Sequence, residues 1–329
     1  MKVLNIDSLE LPKSTANTFE ILHDIVTKYG KVFNVRFQGK NVPFIIKRRL
    51  DDPIVYRISI AYTQTYSMIY PTLQIEIRRY HDNEMNASIN YVHRNDEHNL
   101  SGSFIIELAI KFFKLIAVKE VELTDAANVK DPKTQCSFKL TPYLLLKSST
   151  TFYGKWGFKP SLYSGNTSFE TNKEKIKRLC QLVSRLQKQK MSSIITNIEK
   201  THDALVGIKD PSTLQTYNIT DDYRSGVKEH DNYEDDWDAS KIKRLQEKLT
   251  SITKYIVKYK NTTLHEMMQH CSCEEFQYLL QAFKLPGVLV IGKKKYINKL
   301  FPLYHEIHFL LSNSEYVLDL TKKASKSTC

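Results

Sequence analysis

Apolar positions along the first 160 residues alternate between two periods. Phe19, Leu22, Ile25, Val26 and Tyr29 share one helical face, which predicts a helix over 17–29 stopped by Gly30. The next runs alternate with period two. Residues 31–37 and 42–50 predict a hairpin about the turn Gln38-Gly39-Lys40-Asn41, and Pro43 suggests an edge or strand-start position. Residues 54–62, 73–80 and 90–93 continue the strand-rich region, with antiparallel pairing favoured by their closeness in the chain.

A strand–turn–helix–strand unit follows. Asn99-Leu100-Ser101-Gly102-Ser103 is a small-residue turn. Phe104, Leu108, Phe112 and Leu115 then align on one face of a helix over 104–117, widened by Ile105, Phe113 and Ile116. Residues 119–123 read as a strand, and Leu144 to Phe158 as an apolar helix running into an aromatic segment. A serine-flanked glycine at a helix start lets the backbone approach a ligand. Such a start presents unpaired N–H groups and the positive end of the helix dipole, a setting that suits phosphate. It also serves as a plain turn and cap.

Beyond residue 165 the pattern turns helical. Ile176, Leu179, Val183 and Leu186, extended by Ile194, Ile195 and Ile198, predict one long helix over 173–200. Residues 207–238 are polar and predict a loop. Ser240 is suited to cap a second helix, whose stripe Ile242, Leu245, Leu249, Ile252 and Ile256 predicts pairing with the first as an antiparallel hairpin. A short helix over 274–283, a strand over 288–291 and a disordered basic tail from Lys322 complete the chain. The predicted organisation is an α/β domain over 1–165 and a mainly helical extension over 166–329.

Charge adds a preference for anionic partners: the formal net charge is +12. Basic residues on the two long helices, such as Lys177, Arg178, Arg185 and Lys188, read either as a polyanion or protein-partner surface or as a solvated face. There is no apolar run of membrane-spanning length and no signal-peptide core, so an intracellular, cytoplasmic protein without membrane contact is expected. Five scattered cysteines do not form a disulfide framework. His265, His270, Cys271 and Cys273 lack the second ligand pair of a zinc site, so no metal is expected. Gly292-Lys293-Lys294-Lys295 lacks the rest of a phosphate-binding loop, and no nucleophile elbow is present.

The run Phe152-Tyr153-Gly154-Lys155-Trp156-Gly157-Phe158 resembles the closing Phe-Tyr-x-x-x-Gly-Phe motif of the GNAT acetyltransferase superfamily. There the helix carrying the tyrosine ends at the glycine and the following aromatic starts a strand. The preceding helix and Leu123-Thr124-Asp125 also look like that family's core. The resemblance covers roughly residues 55 to 163 and implies a mixed central sheet flanked by helices. It implies acetyl-CoA as cofactor, held by Leu100, Ser101, Gly102 and Ser103, and an amine of unknown identity as acceptor. Tyr153 matches the family's general acid; Glu122, Asp125 or His93 could supply a base. Arg94 to Ser103 keeps one glycine where the family's pyrophosphate turn has Arg/Gln-x-x-Gly-x-Gly/Ala. The alternatives are therefore a GNAT-derived module without catalysis and a basic nucleic-acid-associated protein. The Lys- and Asn-rich style resembles proteins of large DNA viruses, which would place the chain in host cytoplasm or virion.

Overall fold

A computed structural model describes residues 1–10, 17–48, 55–65, 68–79, 85–92, 99–124, 128–130, 136–161, 169–221, 228–233, 237–285, 288–291, 293–297, 303–305, 307, 310–311 and 315–321. His93, Asp125 and the tail from Lys322 lie outside these residues. The fold is mixed α/β and divides into two compact units. The first comprises Met1–Ala126, Tyr153–Tyr163 and Ser314–Ser327; the second comprises Ala127–Phe152, Ser164–Asn313 and Thr328–Cys329. A single cut after residue 165 does not describe this interleaving.

The chain begins with β1 (Val3–Asn5), α1 (Thr18–Tyr29), β2 (Val32–Phe37), β3 (Lys40–Arg48), β4 (Val55–Thr65), β5 (Met68–Arg79), β6 (Met85–Val92), α2 (Gly102–Leu115) and β7 (Glu120–Thr124). It continues through β8 (Asn128–Lys130), β9 (Ser137–Lys139), α3 (Leu140–Ser148), a 3-10 turn (Tyr153–Trp156) and β10 (Lys159–Ser161). Then come α4 (Phe169–Gln187), α5 (Met191–Val206), β11 (Leu214–Asp221), β12 (Lys228–Tyr233), α6 (Ala239–Ile256), α7 (Leu264–His270), α8 (Cys273–Phe283), β13 (Val288–Ile291), β14 (Lys294–Ile297) and β15 (Glu315–Asp319).

In the first unit nine strands form one sheet, ordered β1-β2-β3-β4-β5-β6-β7-β15-β10. Only the β1–β2 and β6–β7 pairs are parallel. Both are joined by a helical crossover, as parallel neighbours require. The alternating residues build a one-sided core. Phe33, Phe44, Ile60, Leu73, Ile89, Leu123 and Tyr316 are buried, and α1 and α2 cover that face through Tyr29–Phe33 and Phe44–Phe112 ring contacts. Gly30 ends α1 at φ +89°, a conformation that favours glycine. Pro43 is not on an edge strand: β3 lies between β2 and β4. Its partner Asn34 donates its N–H to Lys2 on the β1 side. The Pro43 nitrogen therefore faces away from β2, and no β2 ladder bond is lost there.

β15 inserts between β7 and β10, antiparallel to both. The chain of the second unit between Ser164 and Asn313 is thus inserted inside a two-strand hairpin.

The second unit has one helical core, to which α3 to α8 contribute, and a four-stranded antiparallel sheet ordered β12-β11-β13-β14. The predicted long helix over 173–200 is two helices. Met191 N–H donates to the Thr262 carbonyl (2.9 Å) and Leu264 N–H to the Gln189 carbonyl (2.8 Å). This pairing draws Lys188–Lys190 out of helical geometry. It is α5, rather than α4, that packs most extensively along α6. The predicted loop over 207–238 contains β11 and β12. Asp238, not Ser240, caps α6, accepting from Lys241 N–H at 2.7 Å. A disulfide joins Cys136 to Cys273, with Cα atoms 6.2 Å apart.

Candidate functional site

The parallel β6–β7 pair singles out one place in the first unit. Ligands of open α/β sheets bind beyond the carboxyl ends of parallel strands, next to the crossover helix. Ala87, Ser88 and Ile89 of β6 pair with Val121, Glu122 and Leu123 of β7. Immediately beyond, the β5–β6 register shifts: Gln74 faces Tyr91 and Ile75 faces Ile89, leaving Asn90 as an extra residue. Such a bulge bends its strand and ends regular pairing. The α2 helix starts at this same end of the sheet.

Its start is well anchored. Leu100 is buried, and Asn99 adopts φ +50°. Ser101 caps the helix, its Oγ accepting from Phe104 N–H at 3.2 Å. We expect Ser101→Ala to cost about 1 kcal/mol, measured by thermal denaturation. The first-turn N–H groups have no carbonyl within the helix to bind. A Cβ added at Gly102 meets nothing within 4 Å, so the first turn is open to a close approach.

Two lysines converge here from distant parts of the chain. Lys40, at the start of β3, donates from Nζ to the Asn99 carbonyl at 2.7 Å and lies over the Phe104 ring. Lys155, in the 3-10 turn, donates from Nζ to Ser103 Oγ at 2.7 Å and lies 3.9 Å from the Trp156 ring centroid. Glu107, one turn further along α2, accepts from Gln38 Nε2 (3.3 Å) and Trp156 Nε1 (3.5 Å). Burial lowers the Lys155 pKa, and the Glu107 carboxylate opposes that shift. The result is an electropositive helix start with two ammonium groups, two serines and a bare glycine. These donors fit a phosphate-bearing ligand.

Leu100, Ser101, Gly102 and Ser103 all lie at the start of α2. Lys40, Lys155 and Glu107 were missed. Lys155 falls within Phe152–Phe158 and could have been flagged there; nothing around Lys40 signals its role.

The candidate catalytic pair is separated. Tyr153 is buried, its ring within 6.5 Å of Trp156, 6.0 Å of Phe158 and 5.9 Å of Tyr316, centroid to centroid. Tyr316 pairs with Leu123, so Tyr153 lies on the α2 face of the sheet. Glu122 alternates with Val121 and Leu123 and points to the other face, with Ser88 and Val317 as register neighbours. The helix expected to carry Tyr153 also ends early. α3 stops at Ser148 because Ser149 takes a left-handed φ of 54° and returns its N–H to the Leu145 carbonyl. Tyr153 belongs to the separate 3-10 turn.

Among the described residues, no group of three or more His, Cys, Asp or Glu is arranged to hold a metal ion. Cys273 is committed to the disulfide. Among them, too, no helix is long and apolar enough to cross a membrane. No protein-family model matches the chain, and a comparison with curated proteins finds no match.

Proposed function

We propose that the first unit is a GNAT-like acyl-CoA domain acting as an N-acetyltransferase on an amine. The observation that carries this reading is the open first turn of α2 at the carboxyl ends of β6 and β7, flanked by Lys40 and Lys155. When bound, acetyl-CoA supplies an activated acetyl thioester. The first-turn N–H groups and the two ammonium groups would hold its phosphates. Tyr153 holds a proton that a leaving thiolate could take; a phenol of ordinary pKa near 10 is a competent donor to sulfur.

A second reading is binding without turnover. It is favoured by the placement of Glu122 on the sheet face opposite Tyr153, which removes that carboxylate as the partner base.

Calorimetric titration of the full chain with acetyl-CoA and with CoA tests the site. Micromolar binding supports it, and silence at millimolar ligand overturns it. Given binding, acetyl transfer to an amine acceptor separates the two readings, and Tyr153→Phe then tests the general acid. General-acid loss predicts a kcat fall of about a hundredfold or more, with calorimetric affinity unchanged. An unchanged kcat would leave Tyr153 as a packing residue.

A further inference from the structure

Three contacts establish how α6 and α8 pass each other within the second unit. Just beyond α6, Tyr259 donates its hydroxyl to Glu275 Oε2 at 2.8 Å, and Lys258 forms an ion pair with the same carboxylate. One turn earlier, Tyr255 stacks on Tyr278 with centroids 4.0 Å apart and planes 13° from parallel. The helices are therefore antiparallel. Going back two turns from Tyr255 reaches Lys248, about 10 Å along the axis; going forward from Tyr278 reaches Lys284, about 9 Å along. The two lysines end up side by side.

Nothing acidic among the described residues answers them. No ion pair joins Lys248 or Lys284 to a carboxylate among the described residues. Lys248 is half-buried, and burial together with the Lys284 charge depresses its pKa. A lysine at the end of α8 is favourable on its own, because it faces the negative end of the helix dipole. That accounts for Lys284 but not for a half-buried Lys248 in mid-helix facing it. The basic stripe continues one turn further to Arg244 and then to Lys241. Along α6 the only acid is Glu247, against Lys241, Lys243, Arg244, Lys248 and Lys254.

We propose that the α6–α8 seam binds single-stranded nucleic acid, with Lys241, Arg244, Lys248 and Lys284 on successive phosphates and the Tyr255–Tyr278 stack beside a base. A cationic track leading to half-exposed aromatic rings is the pattern that single strands use, because every base offers a π-face. A membrane surface fits less well. It needs apolar side chains projecting beside the cations, whereas Ile242, Leu245, Leu249, Ile252 and Ile256 are buried in the core. Glu274, which hydrogen-bonds the Tyr255 hydroxyl, closes the seam at its acidic end.

The test is fluorescence anisotropy of the full chain with a labelled oligothymidylate of about twenty nucleotides. Four phosphate contacts predict a log–log salt slope of about −2 to −3. The double variant Lys248→Glu/Lys284→Glu should weaken binding about tenfold or more and flatten the slope by about 1.4. Tyr255→Ala should weaken binding severalfold with the slope unchanged. Lys248→Glu alone places an acid beside Lys284 and should not lower the melting temperature, which separates lost contact from lost fold. The proposal is overturned by no binding at low salt, or by wild-type binding in the double variant. It is overturned equally if Lys177→Glu on α4 combined with Lys188→Glu just beyond its end abolishes binding while the seam variant does not. Capture by phosphatidylserine vesicles with no oligonucleotide binding would also overturn it.

Discussion

Gly102→Glu weakens acetyl-CoA binding by about tenfold or more, a loss of about 1.4 kcal/mol or greater, without lowering the melting temperature. Both halves of this expectation follow from the start of α2. A side chain at Gly102 meets open space, and the residue's backbone is ordinary helical, so folding tolerates the change. An acid in the first turn interacts favourably with the helix dipole, which preserves stability. The same carboxylate lies next to Ser103 and within reach of the Lys155 ammonium, where a ligand phosphate would sit. It cancels the positive potential and repels the ligand. Gly102→Ala is the informative partner: it adds bulk without charge, so a loss in that variant marks close backbone approach by the ligand. Calorimetry and thermal denaturation on the same preparations read both quantities. Wild-type affinity in Gly102→Glu would remove the α2 start from the binding site.

Loss of the Cys136–Cys273 bridge lowers the stability of the second unit by about 2–4 kcal/mol. The bridge spans a sequence separation of 137 residues, so its removal frees a long stretch of the unfolded chain. The surrounding contacts persist without it. Gln277 Nε2 donates to the Ser137 carbonyl at 2.8 Å, and Phe276 packs edge-on against both Phe138 and Tyr143 at 5.0 Å. The reduced unit should therefore stay folded at room temperature and melt earlier. Thermal melts with and without reductant, and of Cys136→Ser/Cys273→Ser, measure the effect. A melting temperature unmoved by reductant would rule out a stabilising bridge. The neighbouring Cys271 is a poor internal competitor for exchange, since burial, aided by Glu275, pushes its thiol up to about 11. Disulfides persist in oxidising surroundings, which sets this bridge against the cytoplasmic location expected from the sequence.

Local regularity made much of the fold legible. α1 with its Gly30 stop, the β2–β3 hairpin, α2, β7, α8 and β13 all follow from periodicity and caps, because each depends on residues close in the chain. The turn at Leu100–Ser103 was legible for the same reason. The rest depended on partners far away in sequence. β11 was hidden in a polar stretch because Thr216 is buried only once β13 pairs beside it. The break between α4 and α5 required the 262–264 segment to compete for backbone hydrogen bonds.

By itself, the sequence determined the α/β class, the order of most elements and the serine–glycine helix start, because period and capping are local properties. Only the tertiary structure decided that Lys40 and Lys155 flank that start, that Glu122 and Tyr153 face opposite sides of the sheet, and that Lys248 meets Lys284. Each of these depends on register or crossing between segments that share no local pattern, and only packing sets those relations.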